Sequence, residues 1–129
     1  MNIEEFAVRN LDYFRRHAGG PTPYCMHLSS LNPGAHVVIV GGTHGNEPGG
    51  VKAIVQLHRA FRNGEISLKR GKISFLLGNP KAYQKDVRYI DRDLNRAFVN
   101  QAPSSVEGKR GLEIEAFLED HDDINSLLD

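Results

Sequence analysis

The chain has 129 residues, enough for one domain with a buried core but short for an enzyme that must also enclose a substrate pocket. Sixteen lysines and arginines balance sixteen aspartates and glutamates, so no net field favours nucleic acid, an anionic membrane or any other strongly charged partner. The single cysteine, Cys25, excludes a disulfide framework and a cysteine-rich zinc site and fits a reducing, cytoplasmic setting; the acidic opening "MNIEEFAVRN" is unlike a signal peptide, and no apolar run approaches a membrane span.

Ile3, Phe6, Ala7, Leu11 and Phe14 recur at helical spacing in the first twenty residues, and "AGGPTP" ends that helix. "YCMHLSSL" reads as a strand, "NPGA" as a turn and "HVVIVGG" as a second strand, whose β-branched run suits burial on both faces. The pattern makes these two strands sheet neighbours. Pro48 suits the first turn of a helix in which Val51, Ile54, Val55 and Phe61 share one face until "RNGE" stops it. "KISFLLGNP" is a further short strand, ended by Gly78 and Pro80. Strand, helix and strand form a βαβ unit, with a right-handed crossover and with loops at the carboxyl ends of the strands, where α/β sheets bind ligands. Residues 81–105 are dense in charge and lack a clean period, and they read mainly as a long ordered loop. A helix over "VEGKRGLEIEAFLED" follows, with Leu112, Ile114 or Glu115, Ala116 and Leu118 as its apolar positions, and "INSLLD" starts a last strand. The expected fold class is α/β: a mixed, mainly parallel β-sheet with helices on both faces.

The stretch "GGTHGNEPGG", residues 41–50, suits one of two chemistries. A phosphate loop needs free backbone amides and, in the Walker pattern, a Gly-Lys-Ser or Gly-Lys-Thr end. Val51 separates Gly50 from Lys52, the dinucleotide spacing is absent, and Glu47 would compete with phosphate for the helix N-terminus. A metal site needs an imidazole nitrogen and a carboxylate oxygen converging at about 2.0–2.2 Å on the ion, which His44 and Glu47 can supply if Gly45 permits a tight turn between them. The spacing alone fits equally well a polar loop histidine beside a glutamate that complements the helix dipole.

Arg88, Arg92 and Arg96 alternate with Asp91, Asp93 and Asn95 within nine residues. This is either a solvated loop of weak ion pairs or a carboxylate-binding cluster, in which guanidinium forks bind the carboxylate, Asn adds a neutral donor and the aspartates hold the arginines. Tyr89, Ile90 and Leu94 favour a loop packed on the domain.

"GGTHGNEPGG" and "NPKAYQKDVRYIDRDLNRAF" together resemble the two signature segments of the succinylglutamate desuccinylase and aspartoacylase family, zinc hydrolases related to the carboxypeptidases. The likeness covers roughly residues 36 to 98. It implies a zinc carboxypeptidase-like fold and hydrolysis of the amide bond of an N-acyl amino acid, such as N-succinylglutamate or N-acetylaspartate, or of a related small amide or ester. His44 and Glu47 would be two of three zinc ligands, Arg88 would polarise the scissile carbonyl, and Asn95 and Arg96 would clamp the substrate carboxylate. Asp93 would orient those groups.

Two parts of the family pattern are missing. The third ligand, a histidine in a D-L-H stretch, is expected beyond Asp129, and so is the general-base glutamate. No other histidine replaces the ligand: His121 reads as a solvated surface residue, His58 lies within the helix after the motif, and His17, His27 and His36 lack ligand spacing. Residues 1–129 therefore read as the N-terminal portion of a single zinc-hydrolase domain, inactive alone and prone to self-association through an exposed sheet edge. A non-catalytic module that binds small carboxylates is the alternative, and a nucleotide-binding domain the more distant one.

Overall fold

The computed structural model describes residues 3–98 and 103–129. Helix α1 (Ile3–His17) leads into β1 (Cys25–Ser29), β2 (His36–Gly41), α2 (Gly49–Arg62), β3 (Lys72–Leu77), the short α3 (Pro80–Lys85) and α4 (Leu94–Ala97), then α5 (Val106–Asp120) and β4 (Ile124–Leu128). The four strands form one sheet in the order β1-β3-β2-β4. β2 runs parallel to both β3 and β4, whereas β1 is antiparallel to β3. The sheet is thus mixed and mainly parallel, as expected. Strands β1 and β2 are not neighbours, however: β3 lies between them, because the βαβ crossover sets β3 beside β2 and leaves β1 the outer flank.

Alternation along the strands builds two cores. Met26, Phe75 and Leu77 face one side, where α1 contributes Leu11 and Phe14, α2 contributes Val51, Ile54 and Val55, and α3 contributes Tyr83. The side chains of Ile3 and Phe6, expected on the same face of α1, lie outside the description. Cys25, Val38 and Leu76 face the other side against Leu94, Ala97, Ile114 and Phe117 of α4 and α5. Helices therefore cover both faces. In α5 the buried positions are Glu107, Gly108, Arg110, Gly111, Ile114 and Phe117, while Leu112 and Ala116 are exposed. The apolar positions read from the sequence are therefore wrong in part: the face that packs follows Phe117 and Ile114, and it carries two charged residues. One of these, Arg110, donates from Nε to the Gly78 carbonyl at 3.1 Å and from a terminal nitrogen to the Leu77 carbonyl at 2.7 Å, tying α5 to the end of β3.

The presumed long loop over residues 81–105 also needs correction, since it contains most of α3 and all of α4. Asn79 caps α3 by accepting from the Ala82 amide, with Pro80 in the first turn, and Asp93 caps α4 by accepting from the Asn95 amide. Pro48 is itself the N-cap of α2, one position before the helix proper. Among the described residues no helix is long and apolar enough to cross a membrane. On the sheet edge, β4 pairs on one side only, with β2, and exposes Leu127 and Leu128.

His27, His36, His58 and His121 each bond within the fold, away from the His44 loop. At the amino-terminal end of β2, His36 Nε2 lies 2.7 Å from Ser74 Oγ and its Nδ1 lies 3.0 Å from Asp123. On the other side of Ser74, His27 Nδ1 approaches the same hydroxyl at 2.8 Å, and His27 Nε2 faces the buried Cys25 thiol at 3.7 Å. This polar chain crosses β1, β3 and β2 and reaches the segment before β4. His121 is half-buried rather than solvated: its Nδ1 donates to the Phe117 carbonyl and its ring lies 4.5 Å from that of Phe117. His58 is buried between α1 and α2, where the Tyr13 hydroxyl donates to its Nδ1 at 2.6 Å.

Burial, with help from His17 and Arg62, lowers the His58 pKa from 6.5 to about 4. The unfolded chain therefore takes up this proton first as the pH falls. The stability that depends on neutral His58 is fully present above pH 6.5 and is lost on the way down to pH 4, a difference on the order of 3 kcal/mol. Urea denaturation at pH 7 and pH 4.5 is expected to show this loss, and His58→Gln to remove most of it; an unchanged pH slope in the variant would assign the effect to other groups.

Candidate metal centre

Parallel strands end side by side. Gly41 pairs with Leu77 at the carboxyl end of β2 and β3, and the ladder continues as the Gly78 and Asn79 amides donate to the Gly41 and Gly42 carbonyls. The loops that follow β2 and β3 therefore leave the sheet at one end. The glycines in the first loop answer to two different demands. Gly42 has φ +73°, a conformation that side chains disfavour, and a Cβ on Gly41 would stand 2.8 Å from the Gly50 backbone. Gly45 does not adopt a positive φ; it is required because a Cβ there would lie 2.1 Å from the Ala82 carbonyl carbon. The expected turn is closed by the Glu47 amide donating to the His44 carbonyl at 3.2 Å, and Gly45 instead allows the loop to lie on α3.

This geometry brings His44 Nδ1 to 2.9 Å from Glu47 Oε2. On its other side, His44 Nε2 lies 3.0 Å from Asp93 Oδ2. Both partners are carboxylates, which only accept, so a neutral ring can donate to one of them alone; with the hydrogen on Nε2 it donates to Asp93. In the neutral ring Nδ1 then presents its lone pair to the Glu47 carboxylate. Two acceptors at that separation repel unless a cation lies between them, either a proton on Nδ1 or a metal ion. Ligands on a tetrahedral zinc ion stand about 3.3 Å apart, close to the observed separation, and a carboxylate behind the distal nitrogen is the usual support of a metal-ligating imidazole. The donor set fits zinc as a pair: among the described residues no group of three His, Cys, Asp or Glu side chains could hold a metal ion.

Asp93 links the two loops. Burial pushes its pKa up, but hydrogen bonds from the Asn95 amide and His44, with the charges of His44 and Arg88, hold it below the usual carboxylate range. Arg88 approaches the same Asp93 oxygen at 3.6 Å, and the Arg88 carbonyl accepts from the Gly45 amide at 3.2 Å. His44, Glu47 and Asn95 line one cavity of about 330 Å³ with Val40, Thr43, Asp129 and the glycines Gly41, Gly42 and Gly50. Thr43 donates its hydroxyl to Asp129 at 3.1 Å. Arg88 is half-exposed beside this cavity, and Arg96 is exposed in the last turn of α4, outside the lining. His44, Glu47, Asp93 and Asn95 thus converge from both loops, Arg88 reaches them at Asp93, and Arg96 is not brought into the cavity.

One residue of this region escaped the sequence reading. Glu107, in the first turn of α5, is fully buried, and its two oxygens accept from the amides of Ile90, Asp91 and Arg92 and from the Asn79 side chain, at 2.8–3.0 Å. The only available signal was an acidic residue two positions after Ser105, a capping serine that accepts from the Gly108 amide. Nothing in the sequence pattern tied it to residues 90–92.

The same mixed sheet and helices occur in solved succinylglutamate desuccinylases. The enzyme from Chromobacterium violaceum aligns with 81% of this chain and 34% of its own, at a TM-score of 0.70 and 25% identity. That from Vibrio cholerae aligns with 74% of this chain and 29% of its own, at a TM-score of 0.66 and 20% identity, a likeness of fold alone. Residues 33–124 match the sequence model of the succinylglutamate desuccinylase/aspartoacylase catalytic domain, and the chain belongs to that family. A probable aspartoacylase of Prochlorococcus marinus is 43% identical over 70 residues, covering 54% of this chain and 23% of its own. An N-acyl-aromatic-L-amino acid amidohydrolase (carboxylate-forming) of Xenopus tropicalis is 42% identical over 101 residues, covering 73% and 30%. The chain thus spans about a third or less of the length of these relatives.

Asp93→Asn keeps the shape of the group behind His44 but removes its charge. Zinc affinity, measured by competition with a chromophoric chelator, is expected to fall about 10–100-fold. Unchanged affinity would separate Asp93 from the metal centre.

Proposed function

We propose that the chain forms the N-terminal part of a zinc-dependent deacylase that hydrolyses the amide bond of N-acyl amino acids or a related small amide or ester. The observation that carries this reading is the His44–Glu47 pair, a ring nitrogen and a carboxylate oxygen held 2.9 Å apart, with the imidazole flanked on its other side by Asp93. Family membership supplies the reaction class, since the relatives named above are deacylating amidohydrolases. His44 and Glu47 would hold the zinc, with a third ligand from polypeptide beyond this chain. A zinc ion held there supplies Lewis acidity, which lowers the pKa of water and polarises a carbonyl.

The chain's own residues do the remaining work. Arg88, anchored through Asp93, offers its guanidinium to the oxygen that gains charge when the amide carbonyl is attacked. Asn95 supplies a neutral donor at the cavity wall, and Arg96 supplies a guanidinium fork for the free carboxylate of an acyl amino acid. Arg96 reaches this role from an exposed position, so substrate is drawn first at the rim and then into the cavity. Sheet edge β4, with its exposed leucines, is where further strands of the domain, or a second copy of this chain, would add.

Isothermal titration tests the metal centre. The chain is expected to bind zinc weakly, and His44→Ala with Glu47→Ala to abolish that binding; equal affinity in the double variant would argue against the reading. N-acetyl-L-aspartate, followed by NMR titration, tests the loop. Arg96→Ala is expected to weaken its binding about 10–100-fold, the worth of a charge-assisted hydrogen bond. Carboxylate binding that Arg96→Ala abolishes, in a chain that takes up no zinc, would favour a non-catalytic carboxylate-binding module.

A further inference from the structure

A buried carboxylate ordinarily finds a cation. Glu107 does not. It is 0% exposed, and its partners are three consecutive backbone amides and one side-chain amide. Oε1 accepts from Asp91 and Arg92 at 2.8 and 3.0 Å, and Oε2 accepts from Asn79 and Ile90 at 2.8 and 2.9 Å. All four donors are neutral, although Arg88, Arg92 and Arg96 lie in or next to the same loop. Burial pushes the Glu107 pKa up, and these hydrogen bonds outweigh it and hold the group below the usual range, ionised at neutral pH.

The partnership is reciprocal. While Glu107 accepts from the Asp91 amide, the Asp91 carboxylate accepts from the Val106 amide at 2.8 Å, one of the free N–H groups at the start of α5. Loop and helix end therefore satisfy each other's donors across 15 residues of sequence. Three successive amides aimed at one carboxylate leave the backbone of 90–92 little freedom. That segment is bounded by Arg88 on one side and by Asp93, Asn95 and Arg96 on the other. Asn79, the fourth donor, also caps α3, against which Gly45 packs. A single carboxylate thus anchors the loop that carries the candidate substrate-binding groups and the exit of β3.

We propose that Glu107 is the positioning residue of the carboxylate-binding loop: an internal anion that draws on the loop's amides alone and takes none of its guanidinium groups away from recognising an external carboxylate. This rests on reading residues 88–96 as a substrate-binding loop. Orienting the guanidinium groups in advance lowers the ordering cost that a flexible loop would meet on binding. Its effect falls mainly on substrate affinity: Glu107 touches neither His44 nor Glu47 and reaches them only through Asp93, which the Asn95 amide holds independently.

Glu107→Gln keeps the volume of the side chain but presents an NH₂ group to one pair of donors, so two of the four hydrogen bonds are lost. The wild-type chain, E107Q and R96A are compared by three measurements: zinc affinity, hydrogen exchange of the Ile90, Asp91 and Arg92 amides, and affinity for N-acetyl-L-aspartate by NMR titration. In E107Q the loop amides are expected to exchange at least about tenfold faster and the probe to bind about tenfold or more weakly, with zinc affinity within about twofold of wild type. A wild type that ignores the probe, or R96A that binds it unimpaired, overturns the loop reading and the inference with it. With wild-type binding and its loss in R96A established, E107Q binding as tightly as wild type overturns the inference alone. So does an E107Q chain that loses zinc affinity as much as probe affinity, or unfolds by circular dichroism, because Glu107 would then serve general packing.

Discussion

The parallel pairing of β2 with β3 is the constraint on which the rest of the site depends. Parallel strands joined by a helix must end at the same edge of the sheet, so the loop after β2 and the loop after β3 start one strand spacing apart. Nothing else would bring His44 and Asp93, 49 residues apart in sequence, within hydrogen-bond distance. The glycines serve the same end. Gly41 lets the start of α2 lie on the end of β2, and Gly45 lets the loop that carries His44 rest on α3, so both loops are pressed together rather than merely adjacent.

Electrostatically, the site is built by separating two jobs that carboxylates could confuse. Glu47 is largely exposed and faces the imidazole from the open side, where an ion can join it. Asp93 is more enclosed, accepts from Asn95 and His44 and fixes the ring. Glu107 is fully enclosed and bonds only to amides. The three carboxylates thus grade from open to closed, and their partners change from a prospective cation, through a mixture of imidazole and guanidinium, to neutral N–H groups. Desolvation explains the order: the deeper the carboxylate, the more of its lone pairs must be filled by donors fixed in place.

Much of this was legible in the sequence where the signal was local. The β-branched run of β2, the apolar face of α2 and the glycine-proline boundaries of β3 marked those elements and their end of the sheet, and the His44–Glu47 spacing marked two side chains that the structure sets 2.9 Å apart. The short helices were missed because six and four residues cannot show a period; only their caps, Asn79 before Pro80 and Asp93 before Leu94, betray them. Leu112 was misassigned to the core because apolar identity was weighed above the face shared by Ile114 and Phe117, and because a buried Arg110 and Glu107 dilute that face's hydrophobicity. Sheet order failed for a related reason: strand neighbours are a matter of crossover geometry, which two adjacent strand patterns do not encode. Glu107 was invisible because its partners are backbone amides, and amides leave no trace in residue identity.

The polar chain at the opposite end of the sheet behaves as a single unit of proton bookkeeping. Asp123 can only accept, so with His36 neutral its Nδ1–H points to Asp123, Ser74 donates to His36 Nε2, His27 donates from Nδ1 to Ser74, and the Cys25 thiol, raised to about 12 by burial, faces the remaining lone pair. The tautomer of His27 on β1 is thereby set by a carboxylate it never touches. Three strands therefore share one donor order, and the serine hydroxyl at its centre fixes the sense in which it runs.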